Sequence, residues 1–307
     1  MTALSARDFL VQQLTPRYGE GEARSIARIV FEDAFDHGRA FEAVRFKDIL
    51  QRLIAGEPVQ YVLGAADFFG LKFKVDPAVL IPRQETEELV AWVLEHLKSF
   101  TNATNLTTFK KLSNFYNGPV LLDIGLGSGC IAIALKKKIP DLKLFGLEKS
   151  PAALAIALEN GAALISQCPD FQFLQGDILN HADWAKFPRL DIVVSNPPYI
   201  PYSEKNLVPE HVASHEPALA LFVEDDDPLI FYRAIADFSL EKLVPGGMLF
   251  LECNEFNATE VVSMLQEKGF AEVELRKDLA GAERMVKANT SESPLSISPS
   301  LSQFPPH

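Results

Sequence analysis

Three short segments carry residue types that could do chemistry together. Asp123-Ile124-Gly125-Leu126-Gly127-Ser128-Gly129 places glycines at alternate positions between an apolar run and a helical pattern. Glycine there lets the backbone turn tightly and approach a ligand with no side chain between. The segment is not a P-loop, because no Lys-Ser/Thr pair follows, and its third glycine comes one residue early for the dinucleotide-binding pattern. Glu148 lies 19 residues after Gly129, at the end of the next apolar run. Nucleotide-binding sheets use an acid at that place to accept hydrogen bonds from ribose hydroxyls. Asp177, in Gly176-Asp177, closes a third apolar run.

The most specific segment is Asn196-Pro197-Pro198-Tyr199, which follows Asp191-Ile192-Val193-Val194-Ser195. Consecutive prolines supply no N–H groups and fix φ near −65°. They hold the Asn196 side chain and the Pro197 carbonyl in a rigid arrangement. Both accept hydrogen bonds, so together they can grip the two hydrogens of one NH2 group. Tyr199 can lie flat against the planar group that carries that nitrogen.

These segments need elements to position them. The first 60 or so residues read as short helices, with Leu4, Phe9, Leu10 and Leu14, then Ala23, Ile26, Ala27, Val30, Phe31 and Ala34, at helical spacing. A third run from Phe46 to Ile54 is stopped by Gly56 and Pro58. Residues 65–80 predict a β-hairpin linker, and a helix is expected from the Ile81–Glu88 segment through Leu97. Residues 100–117 are polar and lack periodicity, and read as a loop or extension. From Val120 strands alternate with helices, the pattern of a doubly wound α/β sheet. The strands are expected at 120–124, 142–147, 171–174, 190–195, 248–252 and 271–276. The tail from Ala288 is rich in Ser, Pro, Asn and Thr and reads as disordered. The expected organisation is a helical unit at 1–64, a hairpin at 65–80, a catalytic domain at 81–287 and a tail at 288–307.

Composition narrows the function. The net charge of −12 argues against holding nucleic acid by its phosphates, which usually takes a basic face. No apolar run approaches the roughly 20 residues needed to span a bilayer. Met1 to Leu14 mixes charged and apolar residues and has no signal-peptide core, so the chain reads as soluble and cytoplasmic. Cys130, Cys168 and Cys253 are widely spaced, which argues against a disulfide framework and a cysteine zinc site and for core packing. No His/Cys/carboxylate cluster calls for a metal.

The Asp-x-Gly-x-Gly-x-Gly segment, the acid at 148 and Asn-Pro-Pro-Tyr resemble class I methyltransferases, which use S-adenosylmethionine and here would methylate a planar nitrogen. More narrowly, residues 40–287 are similar to the HemK/PrmC family of protein-(glutamine-N5) methyltransferases, which act on peptide chain release factors. The resemblance also rests on Gly56–Gly64 (GEPVQYVLG), Leu80–Glu87 (LIPRQETE), Ile200, His215–Leu221 (HEPALAL) and Asp278–Gly281 (DLAG). Four positions depart from the family pattern. Gln84 replaces a second proline, Leu126 a common threonine and Asn254 a glycine, and Ile178 stands where some members place a tryptophan against the adenine.

The resemblance implies a Rossmann-like domain preceded by a small helical domain. It implies that Gly125, Leu126, Gly127, Ser128, Gly129, Glu148, Asp177, Ile178 and Asn196 hold the donor, with Asp177 receiving the adenine amino group. It implies that Asn196, Pro197, Pro198 and Tyr199 hold a glutamine amide, that of a Gly-Gly-Gln motif. An adenine amino group fits the same grip, so an N6-adenine DNA methyltransferase is an alternative, as is a ribosomal-protein glutamine methyltransferase. A non-catalytic adaptor on the same fold is the alternative from another class.

Overall fold

The computed structural model describes residues 3–35, 41–102, 118–168 and 170–291. Its N-terminal part is helical: α1 (Ala3–Val30), a π-helical turn (Phe31–Phe35), α2 (Ala43–Ala55) and α3 (Val59–Leu63). Helix α1 bends at Gly19, and α2 ends where Gly56 takes a left-handed conformation. Their apolar stripes close on one core that includes Leu10, Leu14, Ile26, Phe46 and Leu53. The hairpin follows as β1 (Ala65–Phe68) and β2 (Leu71–Lys74).

Helix α4 (Gln84–Asn102) runs beyond the expected end at Leu97, so residues 100–102 are helix and not extension, while 103–117 lie outside the described residues. Gln84 is its first residue, a position that proline also favours, which accounts for the exchange there. Strands and helices then alternate: β3 (Val120–Ile124), α5 (Cys130–Lys138), β4 (Lys143–Glu148), α6 (Pro151–Leu164), β5 (Phe171–Gln175) and β6 (Leu190–Ser195). Two short strands, β7 (Ile200–Pro201) and β8 (Phe222–Val223), pair with each other around α7 (Glu210–His215) and α8 (Ala218–Leu221). The last described elements are α9 (Ile230–Lys242), β9 (Leu243–Glu252), α10 (Ala258–Glu267), β10 (Ala271–Lys277) and β11 (Glu283–Asn289).

The main sheet has seven strands in the order β10-β11-β9-β6-β3-β4-β5. The five from β9 to β5 are parallel, and β11 runs antiparallel to both its neighbours. Strands β3 and β6 are buried along their whole length, as central parallel strands covered on both faces must be. On one face α4 and α5 pack Leu89, Trp92, Val93 and Ile133; on the other α9 and α10 pack Tyr232, Phe238, Val261 and Leu265.

Two expectations need correction. Strand β9 starts at Leu243, not Met248, and carries Pro245-Gly246-Gly247 within it. Ala288 and Asn289 are not tail: they pair with Leu249 and Met248, Ala288 is fully buried, and Thr290 donates to the Val244 carbonyl at 2.8 Å. A composition rich in polar residues at a chain end does not prevent pairing when every second side chain faces a core. Residues 292–307 lie outside the described residues. Among the described residues no helix is long and apolar enough to cross a membrane.

Candidate active site

The strand order reverses between β3 and β6. The chain moves from β3 outward to β4 and β5, then returns to the other side of β3. Ligands of open α/β sheets bind at the carboxyl ends of such a pair of strands. The glycine loop leaves the end of β3 and Asn196-Pro197-Pro198-Tyr199 leaves the end of β6. The Ser195 hydroxyl donates to the Ile124 carbonyl at 2.6 Å and locks these two ends together.

Gly125, Gly127 and Gly129 all have positive φ, at 77°, 55° and 81°. Any other L-residue would be strained at each, which explains the alternating motif. A Cβ at Gly125 would lie 3.9 Å from the Asn196 carbonyl oxygen, so the loop lies close beside the Asn196 backbone. Leu126 fits because Gly146 on β4 makes room: a Cβ there would lie 2.8 Å from Leu126 Cδ1.

A cleft of about 260 Å³ opens at this point. All the residues named from sequence line it except Gly129, which caps α5, and Tyr199. Tyr199 lines an adjoining cavity of about 330 Å³, and Leu80, Arg83, Asn196 and Ala220 line both. Asn196 therefore stands in the wall between two spaces, one beside the glycine loop and one beside Tyr199.

Glu148 is nearly buried and ties the glycine loop to β4: its Oε2 accepts from Gly127 N at 2.9 Å and its Oε1 from Ser150 N at 2.8 Å. Asp177 pairs with Lys149 at 2.9 Å and accepts from Leu179 N at 3.0 Å. Ile178 is a buried apolar wall, and its carbonyl accepts from Trp184 Nε1 at 2.9 Å. Beneath the loop, Asp123 Oδ1 and Ser128 Oγ are buried and have no hydrogen-bond partner in the protein. Burial raises the Asp123 carboxyl well above its ordinary range. Cys130 packs against the core and also lines the cleft, and burial pushes its thiol up to about 12.

Several contributors have no chemical role assigned from the sequence, although Arg83, Thr86 and Glu216 lie in the Leu80–Glu87 and His215–Leu221 segments. Glu216 Oε1 pairs with Arg83 at 2.6 Å and its Oε2 accepts from Ile81 N at 3.1 Å, joining two walls of the cleft. Phe231 and Ile235 on α9 add apolar surface. Asn196 Nδ2 lies 3.2 Å from Thr86 Oγ1, which lies 2.7 Å from Glu252 Oε2. Thr86 and Glu252 stand 166 residues apart in sequence. Burial raises Glu252 to about 7, against hydrogen bonds from Thr86 and Asn196 and the nearby Arg284 charge, which favour its ionised form. Burial also raises the Tyr199 hydroxyl, which keeps it neutral. Asn254, in place of a glycine, builds its turn with its own side chain, accepting from Phe256 N at 3.1 Å.

Asn160 on α6 is buried and links the hairpin to the site. It accepts from Lys74 N at 2.8 Å, donates to Lys74 O at 3.0 Å, and donates to the Ser128 carbonyl at 2.9 Å. Among the described residues no group of three His, Cys, Asp or Glu could hold a metal ion.

The Methyltransferase small domain family matches residues 102–217. A release factor glutamine methyltransferase of Flavobacterium psychrophilum is 36% identical over 92% of this chain and 97% of its own length. One from Bacteroides thetaiotaomicron is 41% identical over 79% of this chain and 80% of its own length. Among solved structures, the hMettl16 catalytic domain in complex with a MAT2A 3′UTR hairpin aligns with a TM-score of 0.53 at 16% identity, covering 82% of each chain, a likeness of fold alone. With a Rossmann-like class I methyltransferase fold and relatives of this similarity along nearly its whole length, the chain belongs to the release factor glutamine methyltransferase family.

Proposed function

We propose that the protein transfers a methyl group from S-adenosylmethionine to the side-chain amide nitrogen of a glutamine in a peptide chain release factor, that of its Gly-Gly-Gln motif. The observation that carries this reading is the place of Asn196, in the wall shared by the glycine-loop cleft and the Tyr199 cavity. A donor on one side and a planar amide on the other would meet at that residue.

The cleft suits the donor. Glu148 keeps lone pairs for ribose hydroxyls after binding Gly127 and Ser150, and Ile178 offers an apolar face. Bound S-adenosylmethionine supplies an electrophilic methyl group on a cationic sulfur. The chain's own task is the nucleophile. An amide lone pair is delocalised into its carbonyl, so the nitrogen is poor. Asn196 Oδ1 and the Pro197 carbonyl accept from its two N–H bonds, raise electron density on nitrogen and aim it. Tyr199, neutral and largely buried, packs on the amide plane. Catalysis in this reading is positioning and electrostatics, with no base acting ahead of attack.

The described residues of 1–64 hold a core of their own and line neither cavity, which supports a role in recognising the protein substrate. The reading makes the protein cytoplasmic, with no direct role for nucleic acid, membrane or metal. Mass spectrometry tests the substrate: purified release factors and ribosomal proteins are incubated with enzyme and donor. One added methyl on the Gly-Gly-Gln glutamine is expected. Methylation only of a ribosomal protein, or of none, overturns the assignment.

A further inference from the structure

The Leu80–Glu87 segment has so far no chemical part, yet its Thr86 touches Asn196. Thr86 lies in the first turn of α4 and is 3% exposed; Glu252 ends β9 and is 2% exposed. A carboxylate has no hydrogen to give. With Glu252 ionised, the Thr86 hydroxyl must donate to it, and Thr86 then offers Asn196 only lone pairs. The part of Asn196 that faces Thr86 must be its NH2. The direction of the chain is thus dictated by its last member, and it leaves Asn196 Oδ1 free for the cleft.

We propose, resting on the methyl-transfer reading above, that Thr86 and Glu252 are positioning residues that set the polarity of the Asn196 carboxamide, its NH2 turned inward and its Oδ1 turned to the substrate amide. A carboxamide is nearly symmetric in shape, so packing alone does not choose between its two orientations. The wrong one points an NH2 at the substrate NH2, donor against donor, and the grip is lost.

The device responds to protonation. Once Glu252 carries a proton it can donate to Thr86. The Thr86 hydroxyl can then give its hydrogen toward Asn196, which turns its carbonyl inward and its NH2 outward. The gripping form is the high-pH form. The groups that face Glu252 are Glu85 and Thr86 on α4, Asn196 and Tyr199 after β6, Tyr232 on α9, Cys253 beside it, Cys130 on α5 and Arg284 on β11. Arg284 and the hydrogen bonds favour the charged carboxylate, while Glu85 and burial oppose it.

The test uses the full-length enzyme, S-adenosylmethionine and a purified release factor. Thr86→Val keeps the shape and removes the hydroxyl; it is expected to lower kcat roughly 10- to 100-fold with donor affinity unchanged. Thr86→Ser restores most of the rate. In the wild type kcat falls as pH drops through about 7, and Glu252→Gln, which cannot titrate, flattens that limb. Wild-type turnover in Thr86→Val, equal loss in the Val and Ser variants, or an unchanged acid limb in Glu252→Gln overturns the proposal. If the wild type itself methylates no release factor, the methyl-transfer reading falls and takes this one with it. An active wild type with an indifferent Thr86→Val variant removes this one alone.

Discussion

Replacing Glu148 by alanine should weaken donor binding in two ways at once. The side chain bridges the glycine loop and the turn after β4, with Oε2 on Gly127 N at 2.9 Å and Oε1 on Ser150 N at 2.8 Å. Each carboxylate oxygen has about two lone-pair sites, so one on each is left for a ribose hydroxyl. Hydrogen bonds to a charged partner are worth about 1.5–3 kcal/mol, or roughly 10- to 150-fold in affinity. The substitution also strips Gly127 and Ser150 of their acceptor. Where water does not replace it, each orphaned N–H costs about 1–3 kcal/mol, and the glycine loop loses its tether to β4. Calorimetry with S-adenosylmethionine and with its demethylated product reads the affinity, and a thermal melt of the same sample reads the tether. Both ligands carry the ribose, so both should lose the same factor. Unchanged affinity in a folded Glu148→Ala protein refutes the reasoning, as does a loss confined to the methylated ligand.

Asn196→Ala removes one of two acceptors and should slow single-turnover methylation at saturating donor about 10²–10³-fold, the scale for one preorganised polar partner; near-wild-type turnover makes Asn196 a turn residue only. Glu252 has a carboxyl raised from 4.5 to about 7, so the folded state holds its proton more tightly than the unfolded chain does. That contribution is full below the unfolded value and is lost as pH rises through the folded one, leaving a buried charge that costs about 3 kcal/mol near neutral pH and above. In urea, Glu252→Gln should therefore be the more stable protein above about pH 7, with the gap closing below about pH 5; a gap independent of pH contradicts this. A chain lacking residues 1–60, once shown to be folded, should bind S-adenosylmethionine normally and methylate a whole release factor poorly, and turnover equal to the full chain rejects the recognition role.

The parts of the site that are legible in sequence are those whose constraint is local. Three glycines with positive φ must appear as glycines, and Asn-Pro-Pro-Tyr is rigid by its own covalent geometry. The buried strands are legible for the same reason: Leu190–Ser195 meets apolar surface on both faces and its composition says so. Strand β11 is not. Its Met285, Val286 and Ala288 are buried among charged neighbours in a segment that shades into a polar terminus, and only pairing with β9 makes it a strand. The roles of Thr86 and Glu252 escape notice: Thr86 lies in the Leu80–Glu87 segment, but nothing local shows what it touches, and Glu252 is ordinary at a strand end. Their meaning lies in a contact across 166 residues, which no spacing rule records. The motif departures are resolved likewise by partners: Leu126 by Gly146, and Asn254 by its own side chain.

Asn160 has a consequence for how a protein substrate can approach. The outer side of a two-stranded hairpin offers unpaired N–H and C=O groups, a template onto which an extended peptide can add as a third strand. At Lys74 both groups are already taken by the one carboxamide of Asn160, which behaves as a strand a single residue long. The end of β2 that leads into the cleft is therefore closed to strand addition. A substrate loop that reaches the Tyr199 cavity past this end of the hairpin cannot add its backbone as a strand at Lys74.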